Sequence, residues 1–278
     1  MAEPTFGLTF EQVATGVRPV VEERDWGDVT ECAAQPSYGM YRVRLRPTGA
    51  QPLHFWMRSE AVYYVEEGEA LLRARDSAGA PTAVRNPSRG VFAPPPGMVH
   101  GLCSRHGATI YMFTSGQLSE PLRVETSEEA DVAAQEALST SVDAGPGKTF
   151  DGREKYWGRI DSVVSREFAG KRIELRSAGQ SSLEFHVAKA ESYYVHSGRV
   201  KVGLRIGRGE NKSLVLDEGH RFDIPPGLMH MRIGLEDSIL MEVSTADSDG
   251  DSYLVEDGRT YEHIELLSVF LIYTSDAP

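Results

Sequence analysis

Two glutamates and two histidines in the second half of the chain carry spacings from which a metal site can be built. The stretch that holds them opens at Gly179 as GQSSLEFHVAKAESYYVHSG and closes as GHRFDIPPGLMH at His230. Glu184 and His186 lie two apart in an apolar run, so on a β-strand they face one way, and Glu191 follows across a short turn. By alternation Tyr193 shares the face of Glu191, whereas Tyr194 and His196 face the other side. The turn residues Pro225 and Gly227 then lead to a second imidazole, His230. Two imidazoles and two carboxylates gathered from two hairpins suit one hard or borderline divalent cation, with Mn²⁺, Fe²⁺ and Zn²⁺ as the candidates.

The elements that must position these residues are short strands. Runs rich in Val, Ile, Tyr and Phe, such as MYRVRLR, AVYYVEEG, GATIYMF, KRIELRS, ESYYVHSG and SILMEVS, are separated by Gly and Pro turns. They occur twice in one order. A shift of about 130 positions lays Trp26-Gly27 on Trp157-Gly158, LRPTG on LRSAG, Tyr63-Tyr64-Val65 on Tyr193-Tyr194-Val195, and PPGMVH on PPGLMH. A period this long is a domain duplication, since solenoid repeats run to roughly 20–50 residues. The expected architecture is all-β, two tandem jelly-roll barrels joined by a short helical linker. Thr126 with Glu129 has the spacing of a capping box, and the Ala, Val and Leu positions behind it suit a helix ending near Ser139. SVDAGPGK then breaks the pattern, which divides the chain into domains 1–140 and 141–278. The GPGKT stretch at 145–149 lacks the first glycine of a phosphate-binding loop, whose place falls on Val142, and no buried strand precedes it.

The first copy has lost half of the ligand pattern. His54 and His100 stand at the positions of Glu184 and His230, but Trp56 replaces His186 and Ala61 replaces Glu191, with Glu60 displaced to the opposite face. His100, Cys103 and His106 have only a loose metal-like spacing. A degenerate barrel without a metal is expected there.

Composition narrows the partners. The 278 residues hold 41 acidic against 29 basic side chains, a formal charge of −12. Such a chain has no general electrostatic attraction to nucleic acid or anionic lipid, so a small-molecule substrate is the expected partner, with a homodimer left open. No run approaches the roughly 20 apolar residues of a membrane span. MAEPTFGLTF has neither a charged nor an apolar leader segment, and Cys32 and Cys103 form no CxxC pair, so a cytoplasmic protein with reduced thiols is expected.

The spacings from Glu184 to His230 resemble the two signature motifs of the cupin superfamily, small β-barrels that hold a metal near their axis. From about Tyr156 to Arg259 the second copy further resembles the cupin domain of type II phosphomannose isomerases and related sugar-phosphate isomerases. The matching features are KYWG, AGKRIEL, SSLEFH, ESYYVHSG, IPPGLMH and MEVSTADSDGDSYLVEDGR. Glu184 departs from the glutamine usual in that family, and Leu254 stands where the acidic stretch has an arginine.

The resemblance implies isomerase or epimerase chemistry on a sugar or sugar phosphate through an enediolate. A metal ion holds the carbonyl and its neighbouring hydroxyl in such chemistry, while a carboxylate carries a proton between adjacent carbons. Glu184 and Glu242 are the candidates for that carboxylate. Arg232, two residues after His230, is placed to meet a substrate anion, and Tyr193, Lys189 and Arg221 are further candidates for substrate contact, with Lys171 beside them. Two other readings stay open: an Fe(II)-dependent dioxygenase, which also uses two histidines and a carboxylate, and a metabolite-binding cupin without catalysis.

Overall fold

Tyr41, Val43 and Leu45 alternate along one strand of the first half, and each is buried in a core shared with Ala61, Tyr63 and Val65 and with Ala108, Ile110 and Met112. Alternation of this kind puts one face of every strand inward, as a curled antiparallel sheet requires. The computed structural model describes residues 7–13, 15–57, 59–75, 79–119, 121–143 and 150–260. GPGKT at 145–149 lies outside the described residues. The chain divides into two units, Val20–Thr149 and a second made of Met1–Pro19 with Phe150–Pro278.

In the first unit the long strand Ala61–Arg75 organises the sheet. Its first half pairs with Ala108–Thr114 and Val91–Phe92, its second half with Pro81–Pro87 and His100–Cys103. The register shifts between Val65 and Glu67, and a bulge there turns one strand through two sides of a barrel. The helix Ser127–Thr140 has the anticipated capping box, with Glu129 N–H donating to Thr126 Oγ1 and the Glu129 carboxylate accepting from Thr126 N–H. Ala130, Ala134 and Leu138, one turn apart, lay its inner stripe on Ala50, Leu71 and Cys103. Val142–Asp143 then pairs with Pro81–Pro87. The boundary therefore falls at Thr149/Phe150 rather than after residue 140, because helix and following strand are bound into the first unit.

The second unit pairs its strands in two sheets. One runs Asp151–Lys155, Gly158–Ser165, Phe168–Leu175, Ser238–Thr245, Glu191–Ser197, Arg221–Ile224, and the other includes Lys212–Asp217, Arg199–Arg205, Met229–Gly234, Leu183–Phe185 and Tyr253–Glu256. Ile173, Leu175, Tyr193, Val195, Val200, Val202, Phe222, Ile224 and Leu240 fill the space enclosed. The first residues of the chain belong here and not to the first barrel. Val13 is buried in this core with Leu8, Phe10 and Leu214 against it. Val17 N–H donates to Arg221 O at 2.9 Å, and Val17 O accepts from Arg221 N–H at 2.7 Å.

Two repeated glycines show why the copies keep their sequence. A Cβ at Gly158 would lie 1.8 Å from Glu174 O, and one at Gly27 1.8 Å from Arg44 O, so the Trp-Gly turn closes on neighbouring backbone in both units. In the Pro-Pro-Gly turns, Gly227 has φ +83° and its N–H donates to His186 O at 2.7 Å. Gly97 makes the corresponding bond to Trp56 O at 3.1 Å.

Candidate metal centre

Glu184 pairs directly with His230 across Leu183–Phe185 and Met229–Gly234, so their side chains share a face. The Gly227 turn holds His186 next to them, and Glu191 starts the strand Glu191–Ser197 in the opposing sheet. His186 Nδ1 lies 2.8 Å from Asp251 O, and His230 Nδ1 lies 3.0 Å from Leu228 O. A carbonyl oxygen only accepts, so both Nδ1 atoms carry the proton and both Nε2 atoms present lone pairs.

Those lone pairs converge on a carboxylate that also only accepts. His186 Nε2 is 3.2 Å from Glu191 Oε1, and His230 Nε2 is 3.4 Å from Glu191 Oε2. His230 Nε2 is buried without a hydrogen-bond partner. Ligand atoms of Glu184, His186 and His230 all lie within 4.8 Å of one another. Lone pairs facing lone pairs in a buried site repel unless a cation stands between them, and this donor set fits a divalent one. Burial pulls the His186 imidazole toward the neutral form, and Glu191 outweighs it to a net rise, because with no cation between them a proton on Nε2 is what relieves that repulsion. Burial raises the Glu191 carboxyl, and the Lys189 ammonium, first among its neighbours, outweighs it and holds the group ionised well below the usual carboxylate range.

A ring of charges adjoins the ligands. Lys189, only 4% exposed, touches Glu191 and reaches Glu242 at 3.3 Å and Asp247 at 2.9 Å. Lys171 reaches the same two carboxylates at 3.1 and 2.9 Å. Arg232 spans Glu242 and Glu184, 3.2 Å from each. Burial disfavours charge on Lys189, but Glu242, Glu191 and Asp247 reverse this and keep it protonated. Burial and Glu191 push the Glu242 carboxyl up, and Lys171, Lys189 and Arg232 together bring it below its usual range. Four carboxylates stand against three cations here; a divalent ion would change the group from net negative to net positive.

A cavity of about 250 Å³ opens onto this ring, with Trp157, Glu184, His186, Lys189, Arg232 and Glu242 in its wall. Two expected substrate contacts are placed otherwise. Tyr193 does not line the cavity; it is fully buried and its hydroxyl donates to Glu191 Oε2 at 2.9 Å, orienting a ligand. Arg221 pairs in register with Tyr194 rather than Tyr193, so it faces away from the site, and its backbone is occupied by Val17.

Three residues that the spacing argument passed over come from the acidic stretch. Asp247 binds both lysines. Asp251 accepts from the N–H groups of Val187, Ala188 and Lys189 at 2.8, 3.0 and 2.9 Å, and Ser252 Oγ donates to Glu184 Oε2 at 3.0 Å. The density of acidic residues in TADSDGDSYLVEDG was the available signal.

The first unit lacks this convergence. His54 pairs with His100, with ring centroids 5.3 Å apart, and Trp56 packs edge-on against His54 at 4.7 Å. The Tyr63 hydroxyl lies 2.8 Å from His100 Nε2, and His100 Nδ1 lies 2.8 Å from Met98 O. The only metal-competent cluster among the described residues is in the second unit.

No protein-family model matches the chain. Among curated proteins, Germin-like protein 3-7 of Oryza sativa subsp. japonica is 39% identical over 61 residues, a match that spans 22% of this chain and only 26% of that protein. Among solved structures, an oxalate decarboxylase described for its substrate binding mode and reaction specificity superposes with a TM-score of 0.63 at 16% identity, over 86% of this chain and 77% of that one. A Bacillus subtilis oxalate decarboxylase structure described for its Mn(II) centres gives 0.63 at 15% identity with the same coverage. A variant of the same enzyme gives 0.64 at 14% identity over 93% of this chain and 83% of that one. The chain thus has the two-barrel cupin fold. The likeness to sugar-phosphate isomerases rests on the motifs alone.

Proposed function

We propose that the second barrel holds one divalent metal ion through Glu184, His186, Glu191 and His230 and catalyses proton transfer between adjacent carbons of a small polyhydroxylated carbonyl compound, a sugar or sugar phosphate. The observation that carries this reading is the convergence of the Nε2 atoms of His186 and His230 on Glu191, at 3.2 and 3.4 Å, beside an ionised Glu242 that no ligand role uses. When bound, the metal supplies a Lewis acid for a carbonyl oxygen and its neighbouring hydroxyl. Tyr193 and Lys189 orient Glu191, and Ser252 and Arg232 orient Glu184, so the ligand carboxylates keep one geometry.

Glu242 then takes the proton from one carbon and returns it to the next. Its ionised state at neutral pH suits the first step, and the two lysines at its Oε1 compensate its change of charge as the proton comes and goes. The net positive charge of the loaded site favours an anionic intermediate over the neutral substrate, which is where catalysis is gained. The small polar cavity sets the size of the substrate, and the walls of Trp157 and Arg232 exclude water from one side.

The test is solvent exchange. Metal-loaded protein incubated in D₂O with aldoses and aldose phosphates should place deuterium at the carbon next to the carbonyl without consuming oxygen. The Glu242→Gln variant should lose this exchange while retaining the metal. Oxygen uptake or carbon dioxide release without deuterium incorporation would overturn the reading in favour of the oxygen-dependent or decarboxylating chemistry open to the same ligand set.

A further inference from the structure

The larger cavity lies in the first barrel, where no metal cluster forms. It encloses about 490 Å³, within the usual range of roughly 300–1,000 Å³ for small-molecule pockets. Trp26, Tyr41, Trp56, Tyr63 and Met112 give one part of an otherwise polar wall an aromatic face. Three of the four aromatic side chains are fixed by bonds to other parts of the unit. Trp56 Nε1 donates to Ser119 O at 3.0 Å, the Tyr41 hydroxyl accepts from Leu118 N–H at 3.0 Å, and Tyr63 donates to His100 Nε2 at 2.8 Å. The wall is preformed and its polar ends are turned to protein partners.

His54 is the exception. It lines the cavity and is only 8% exposed. Its Nδ1 lies 2.8 Å from Pro52 O, which fixes the proton on that nitrogen and leaves the Nε2 lone pair without a partner among the described residues. Burial, with His100 and Arg123 nearby, lowers its pKa to about 4, so the imidazole is a neutral acceptor near pH 7. The charges in the wall are Glu22, Glu23, Asp25 and Glu31 against Arg24 and Arg123, which disfavours an anion. Glu22 and Glu23 are paired with Arg24 and Arg46 at 2.6 and 2.9 Å at an exposed edge, whereas His54 is buried, so a charged group bonded to His54 Nε2 would be desolvated there.

We propose that the first barrel is a metal-independent binding site for an uncharged aromatic alcohol of the phenol class, its ring among Trp26, Tyr41 and Trp56 and its hydroxyl donating to His54 Nε2. The duplicated barrel then has a ligand of its own in place of the lost metal. The site stands independently of the chemistry proposed for the second barrel.

Calorimetric titration of the full chain with phenol, benzoate and benzylamine tests it, once with the metal-loaded protein and once after EDTA treatment. Phenol should bind at one site per chain with equal affinity in both preparations. Benzoate should bind at least about tenfold more weakly, since its charge would be buried among carboxylates, and benzylamine at least about tenfold more weakly, since its ammonium must be desolvated at the buried His54. His54→Phe, which keeps an aromatic ring and removes the acceptor, should weaken phenol at least about tenfold. The proposal fails if phenol does not bind at millimolar concentration, if benzoate or benzylamine binds as tightly, or if EDTA abolishes binding, which would place the ligand at the second barrel. It also fails if His54→Phe retains the native affinity. Should that variant not fold, the charge series on the unaltered protein decides alone.

Discussion

Tyr63 and Tyr193 occupy the same position in the two copies and donate to different atoms, and one residue explains the difference. Where Glu191 is present, Tyr193 donates to its carboxylate and His230 Nε2 stays unpartnered. Where Ala61 stands at the Glu191 position, the Tyr63 hydroxyl meets His100 Nε2 and takes the lone pair a metal would need. The Glu191→Ala variant is therefore expected to turn the Tyr193 hydroxyl to His230 and lose the metal, as is His186→Ala, whereas His54→Ala should leave metal content per chain unchanged by elemental analysis. Metal retained in His186→Ala and lost in His54→Ala would move the site to the other barrel. His54 also makes stability depend on pH. Its folded pKa of about 4 lies below the unfolded value near 6.5, so between these the unfolded chain binds a proton that the folded one does not. The resulting loss grows as pH falls through this window, reaching roughly 2–3 kcal/mol near pH 4. Chemical denaturation of the first unit at pH 7 and pH 4.5 should show a shift that is smaller in His54→Phe, where only His100, also lowered by burial, remains to contribute.

The strands made the candidate ligands nameable from local spacing. Alternation places Glu184 and His186 on one face, and the Pro-Pro-Gly turn brings His230 beside them, so local spacing was enough for Glu184, His186, Glu191 and His230 to be picked out. Lys189 and Glu242 could be named as candidates but not assigned as partners, because their contact joins residues 53 apart in the chain. Asp251 was illegible for the same reason. It comes back to residues 187–189 from more than sixty positions away, and no local pattern encodes that return. Asp251→Ala should release the segment that carries His186 and lower metal affinity about 10- to 100-fold, measured by competition with a chromophoric chelator. At the helix Ser127–Thr140 the capping box was readable because it is local, and Thr126→Ala should cost about 1 kcal/mol in denaturant unfolding of the first unit.

At the level of the whole chain, duplication was evident from the repeat, but the division between units was not. The sequence leaves open whether the segment up to Asp25 adds to its own barrel or crosses to the other, and Leu8, Phe10 and Val13 are apolar because they cover the second. Deleting residues 1–19 should lower the stability of the second unit by roughly 2–4 kcal/mol through exposure of its core, with the first unit's transition unmoved, as followed by calorimetry. Among the described residues no helix is long and apolar enough to cross a membrane. The bridge between Val17 and Arg221 also bears on how the protein is made. As the chain leaves the ribosome, Leu8, Phe10, Val13 and Val17 emerge without the surface they cover. The entire first barrel is synthesised, and can close, while that segment waits. Joining ends some 200 residues apart is then a late event, and its entropic cost falls once the intervening length is already compact. For this segment the order of synthesis therefore runs opposite to the order of docking: what is made before the first barrel is seated after it.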